Sequence, residues 1–220
     1  MTTTATIALL WLGFAASHMI LSSLPVRHPL IAAIGDGPFR GVYSLVSFVF
    51  FIPLVRVYFA HRHAGPALWA FPIGDGLRWT IYLGMGVAFV LLVSAFLQPN
   101  PASLAGGRPE PRGVLHITRH PLLMALGLFG LLHMIPNGFA GDVVFFGGFA
   151  AFAVVGGWHQ DQRKLVTNPD YPTFHAATPF LPFTGRNTLR GLRELSPIAV
   201  VVGIGLTILV RSYHAAWFGG

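Results

Sequence analysis

Two histidines, His18 and His133, lie well inside apolar runs. A third, His120, stands between Arg119 and Pro121 where the run holding His133 begins. An imidazole without a partner in such surroundings costs free energy, so each of these rings requires a hydrogen-bond partner or a ligand. His120 and His133 are thirteen residues apart. That is about 20 Å along a helix and about 140° around it, so they cannot grip one metal ion together. His18, in Gly-Phe-Ala-Ala-Ser-His-Met-Ile-Leu-Ser-Ser-Leu, comes from a different run. Two chemistries are open for His18 and His133. Each ring can donate to a backbone carbonyl or to a Ser/Thr side chain of a neighbouring helix. Alternatively, two neutral imidazoles, one from each of two helices, can ligate a haem iron across a flat macrocycle. Gly130, one turn before His133 on the same face, would leave room for such a ring.

The second constellation is Arg119-His120-Pro121 together with Trp158-His159-Gln160-Asp161-Gln162-Arg163-Lys164. The tight turn Pro136-Asn137-Gly138 joins the two runs concerned and makes them antiparallel neighbours, which brings the entry of one beside the exit of the other. Arg119, His120, His159, Asp161 and Arg163 are therefore expected at one polar rim, with Asp161 accepting from Arg119 or His120. Simpler roles are also open: Arg119 as an interfacial anchor, Pro121 as a first helical residue, and Asp161 as a partner of Arg119 or Arg163. All seven carboxylates (Asp36, Asp75, Glu110, Asp142, Asp161, Asp170, Glu194) read as loop or helix-end residues, which leaves no acid pair poised in the membrane. His28, His61, His63, His116, His175 and His214 lie in loops or near run ends and are expected to be solvated. The chain has no cysteine, so thiolate ligands, a cysteine nucleophile and disulfides are excluded.

The elements that must carry these residues are membrane helices. The chain is 54% hydrophobic and 10% charged, with mean hydropathy +0.65, outside the range of ordinary soluble domains. Apolar runs near 4–24, 41–60, 77–98, 121–136, 141–162 and 197–217 predict an all-α polytopic membrane bundle of about six transmembrane helices in one domain, residues 1–220. The first run has no basic leader and no small-residue cleavage pattern, and reads as a retained helix rather than a signal peptide. The fourth is short and must be tilted, partly re-entrant or closely tied to the fifth. Arg27, Arg40, Arg108, Arg112, Arg119, Arg163, Lys164, Arg186, Arg190 and Arg193 fall on one side; Arg56, Arg62, Arg78 and Arg211 fall on the other. This bias puts the first side in the cytoplasm and both termini outside. It also accounts for the net charge of +7 without invoking nucleic acid, since no basic stripe or binding motif is present.

Taken together, His18 with Leu21-Ser22-Ser23-Leu24 and Arg27, Arg40-Gly41-Val42-Tyr43-Ser44-Leu45 with Ser47, Ile117-Thr118-Arg119-His120-Pro121 with His133 and Asn137-Gly138, then Trp158, Asp161, Arg163 and Pro179-Phe180-Leu181-Pro182-Phe183, resemble the NnrU family of bacterial membrane proteins. Plant and cyanobacterial relatives of that family include 15-cis-zeta-carotene isomerase. Arg-His-Pro alone is shared with isoprenylcysteine and phospholipid methyltransferases; the combination with His18 and His133 is far more specific. The resemblance implies a cytoplasmic-membrane location, haem b with His18 and His133 as axial ligands, and a role in nitrite and nitric oxide metabolism. Its expected partners are the bilayer, a small apolar or nitrogen-oxide ligand and a membrane reductase. One departure is that the isomerase branch has a cysteine where this chain has Gly130, so ligand switching through a thiol is impossible here. The rivals are cis-trans isomerisation of a polyene, a methyltransferase with Arg119 and His120 facing S-adenosylmethionine, and a non-catalytic haem-handling or reductase assembly factor. The helix boundaries above place His18 about 9 Å and His133 about 20 Å from the cytoplasmic face, a mismatch for a ligand pair.

Overall fold

A computed structural model describes residues 1–101 and 110–219; Arg108 of the basic side lies outside the described residues. The helices are α1 (Thr3–Ser22), α2 (Leu24–Ile34), α3 (Asp36–Ala60), α4 (Asp75–Leu97), α5 (Val114–Ile117), α6 (Pro121–Met134), α7 (Ala140–Thr167), α8 (Tyr171–Ala177), α9 (Thr188–Arg193) and α10 (Pro197–Phe218). Among the described residues five of them, α1, α3, α4, α7 and α10, are long and apolar enough to cross a membrane. This is the expected multi-pass all-α bundle.

The sixth expected span is α6. At 14 residues it is about 21 Å long, short of the hydrocarbon thickness of about 30 Å. It stops early because Pro121 can occupy a first turn but cannot continue a helix backwards. Segment 24–34, expected as a loop, is helical: Pro25 sits in its first turn, and Pro29 removes only one backbone donor. Gly35, at φ 85°, then turns the chain into α3.

In contact order the helices run α3, α1, α7, α6, α4, α10, and α3 also touches α7. At the end opposite the basic loops α10 returns to α3: Phe59 and Phe218 rings lie 6.3 Å apart, and the Arg62 guanidinium donates to the Phe218 carbonyl. The tightest packing joins α6 to α7. A Cβ on Gly130 would collide with the Phe146 carbonyl oxygen, and one on Gly127 would lie 2.9 Å from the Ala153 Cβ. Backbones approach closely at such small residues, and the resulting dispersion contacts hold helices together in lipid. Trp11 Nε1 fixes α1 to the other side of α7 by donating to Phe145 O at 3.0 Å. Tyr58 stacks on Phe145 at 3.8 Å and closes a largely aromatic core of Ile7, Trp11, Leu54, Tyr58, Phe145 and Phe146.

Candidate functional site

Arg119, His120 and Asp161 meet as the antiparallel pairing of α6 and α7 predicts. Asp161 Oδ2 accepts from Arg119 Nε at 2.9 Å and lies 2.7 Å from its Nη2, while Oδ1 accepts from His120 Nε2 at 2.8 Å and from Tyr171 Oη at 2.6 Å. Arg119 Nη1 donates to Thr178 O at 2.8 Å, and Nη2 donates to His175 Nε2 at 3.1 Å. The backbone holds the same geometry, with Arg119 N donating to Pro179 O, Phe183 N to Ile117 O and Thr118 Oγ1 to Phe180 O. Side chains of His120 and Asp161 are 1% and 3% exposed. The cluster is therefore not a solvated rim but a buried centre roofed by α8 and the 178–183 segment. A carboxylate removed from water survives there because charged and neutral donors saturate its oxygens.

The electrostatics agree. Burial and the neighbouring Arg119 guanidinium hold His175 below the usual imidazole range, so its Nε2 is free to accept from Arg119. Burial and the hydrogen bond to Asp161 push the Tyr171 phenol above its ordinary range. Nε2 of His120 faces a carboxylate that can only accept, so it carries the proton. His120 Nδ1 is buried and has no hydrogen-bond partner among the described residues. Arg119 is committed internally to Asp161, Thr178 and His175.

His159 and Arg163 do not join this centre. Residues two positions from Asp161 on a helix point about 200° away from it, and both face α1. His159 Nδ1 lies 3.4 Å from Ser22 Oγ, and Arg163 lies within electrostatic reach of Tyr43 and Arg27.

His18 and His133 share one local construction. In each, Nδ1 donates to the carbonyl of a phenylalanine four residues earlier at 2.9 Å, Phe14 and Phe129 respectively. In each, that phenylalanine ring packs on the imidazole, at 4.1 and 4.2 Å and 43°. A carbonyl only accepts, so Nδ1 is protonated and the Nε2 lone pair is left as the donor atom for a metal, the usual arrangement of a ligating histidine. Ser47 Oγ lies 3.3 Å from His18 Nε2, but its proton is used at shorter range, 2.8 Å, on Tyr43 O. This donor chemistry fits an axial pair. Among the described residues no three His, Asp or Glu side chains gather as a metal site of their own, and a haem needs only two protein ligands.

Helix polarity reduces the depth mismatch between the two rings. Side chains lean toward their own helix N-terminus. α1 runs parallel to α7 and α6 antiparallel, so the two imidazoles lean toward one another. His18 packs on Phe152 at 5.2 Å and His133 on Phe146 at 4.9 Å, a difference of about 9 Å along α7. Gly130, expected to make room for a macrocycle, instead faces the α7 backbone and is filled by it.

Several functional candidates were not legible beforehand. Tyr171 and His175 of α8, with Thr178 just after it, complete the Asp161 centre. Asp142, expected at a solvated helix end, is fully buried and accepts from His63 Nδ1 at 2.8 Å and His63 N at 3.2 Å. His214 lies beside His133 with ring centroids 6.3 Å apart. His116 is buried, 3.6 Å from Glu194 Oε2. An acid in the first turn of a helix was the one available hint for Asp142.

The chain is similar to the chloroplastic 15-cis-zeta-carotene isomerases of Zea mays, at 24% identity over 71% of this chain and 43% of that protein, and of Arabidopsis thaliana, at 27% over 80% and 48%. It thus spans less than half the length of these curated relatives. No solved structure matches it. Residues 6–220 match the family model described as NnrU protein, so the chain belongs to the NnrU family.

Proposed function

We propose that this is a haem b protein of the bacterial cytoplasmic membrane, with both termini outside, in which His18 and His133 are the axial ligands. The observation that carries this reading is the matched pair of Phe-x-x-x-His units, each with Nδ1 fixed by a backbone carbonyl and Nε2 presented. Bound haem would supply one-electron chemistry, with a small apolar molecule or a nitrogen oxide as the proposed partner. The chain's own contribution is to hold two imidazoles neutral, orient them through Phe14 and Phe129, and exclude water with Phe149, Phe152 and Phe146. In this reading the Asp161 centre ties α6, and with it His133, to α7. The family's link to nitrite and nitric oxide metabolism, with a membrane reductase as partner, is the physiological setting proposed.

A second reading, cis-trans isomerisation of a polyene, is favoured by the named activity of the plant relatives. It uses the same two histidines, and the absence of cysteine means that it would run here without a thiol ligand. A non-catalytic haem-handling factor would also use this site. An absorption spectrum of the detergent-purified protein tests the common premise: a Soret band that shifts on dithionite reduction is expected. His18→Ala and His133→Ala should each weaken or strip haem without loss of membrane insertion. Stoichiometric haem in the double variant would overturn the assignment.

A further inference from the structure

Below His18, toward the basic loops, the described residues bring together cations that outnumber the carboxylates paired with them. On α7 the stripe facing α1 runs Phe152, Gly156, His159, Arg163. Phe152 packs on His18 and His159 meets Ser22, so Arg163 comes one turn further on the same face. From α2, Arg27 stacks over the Phe39 ring at 4.8 Å; Phe39 packs on Tyr43 at 6.2 Å, and Tyr43 packs on His18 at 5.0 Å. Arg27 and Arg163 both act electrostatically on Tyr43, and Lys164 lies within reach of both arginines. Arg27 and Arg163 thus approach Tyr43 from α2 and α7, with Lys164 beside Arg163.

The carboxylates do not balance them. Asp36 is shared between Arg27, at 3.3 Å, and Arg40. Among the described residues no carboxylate pairs with Arg163 or Lys164. Cations that served only to fix topology would extend outward to headgroups. Here Arg27 is 21% exposed and turned onto an aromatic floor that continues to His18. Helix polarity adds to this: Arg163 is eleven residues beyond Phe152, about 16 Å, but α7 side chains lean back toward Phe152 and close part of that gap.

We propose that Arg27, Arg163 and Lys164 form an anion clamp for the two propionate carboxylates of the haem held by His18 and His133, fixing its orientation with the propionates toward the basic end. The proposal rests on the haem reading above and adds to it a site with its own chemistry, charge-assisted hydrogen bonds from guanidinium and ammonium to carboxylate. The cations also favour the reduced state of the iron, since each positive charge nearby opposes the extra positive charge of the ferric form.

The test is a titration of the purified full chain with haem b and with haem dimethyl ester, in which both propionates are neutral, followed by Soret absorbance. The wild type should bind haem b at least tenfold more tightly than the ester. Arg163→Gln/Lys164→Gln should lose that preference while still binding the ester as the wild type does, and its reduction potential should fall. Arg186→Gln, a loop arginine outside the clamp, should behave as wild type. Equal wild-type affinity for haem and ester overturns the clamp and leaves His18 and His133 standing as ligands. Equal affinity together with loss of co-purifying anionic phospholipid in the double variant overturns it in favour of a headgroup site. Failure of the wild type to bind either porphyrin overturns the haem reading itself and the clamp with it. If the double variant does not fold, the wild-type ester comparison and Lys164→Gln decide the matter.

Discussion

Replacing Asp161 by alanine removes the carboxylate that accepts from the Arg119 guanidinium in a buried site. The carboxylate accepts from Arg119, His120 and Tyr171, and its side chain is 3% exposed. Removing one partner of a buried pair leaves an uncompensated charge, at a cost of roughly 3–5 kcal/mol. For a chain of this size each kcal/mol corresponds to roughly 2–4 °C, so Asp161→Ala should lower the melting temperature by about 10 °C. Asp170, exposed and without a side-chain cap bond, gives the comparison: Asp170→Ala should stay within about 0.5 kcal/mol of the wild type. Arg119→Met in the Asp161→Ala background should recover part of the loss, because it removes the stranded charge. The assay is a thermal melt of detergent-solubilised protein. Equal melting temperatures for Asp161→Ala and Asp170→Ala would refute the argument that this centre holds α6 to α7.

Gly130→Ala should destabilise by about 1–3 kcal/mol through overpacking against Phe146, read in the same melt; a neutral result would mean that α6 and α7 can part freely there. Acid should weaken the fold through His175 and His116, whose folded forms are held below 6.5, in each case chiefly by burial. The unfolded chain takes up these protons as pH falls through about 6.5 while the folded chain does not, so stability is present above that value and declines below it. His175→Gln with His116→Leu should flatten the decline between pH 6.5 and 5, and an unchanged slope would count against it. Reporter fusions at the C-terminus should be active only outside the cytoplasm; cytoplasmic activity would reverse the proposed orientation.

The buried centre was legible from Arg119, His120 and Asp161 because a short turn between two apolar runs dictates antiparallel neighbours, and neighbours at matched ends must meet. Its roof was not, because Tyr171 and His175 reach it through tertiary contacts that no periodicity encodes. His159 and Arg163 were wrongly grouped with Asp161 by proximity in sequence, when 100° per residue already sends them to another face. Segment 24–34 lies between the apolar runs 4–24 and 41–60 and is too short to show as a span, yet Pro25 in its first turn is compatible with a helix. The apparent depth conflict between His18 and His133 arose from counting Cα positions alone. Depth along a helix is a property of the backbone, whereas chemistry happens at the end of a side chain tilted toward the helix N-terminus. Two helices of opposite direction therefore bring together residues that a count from one membrane face separates. In the proposed haem site His18 and His133 would be such a pair, and the same tilt also inclines Arg163 back along α7 toward Phe152.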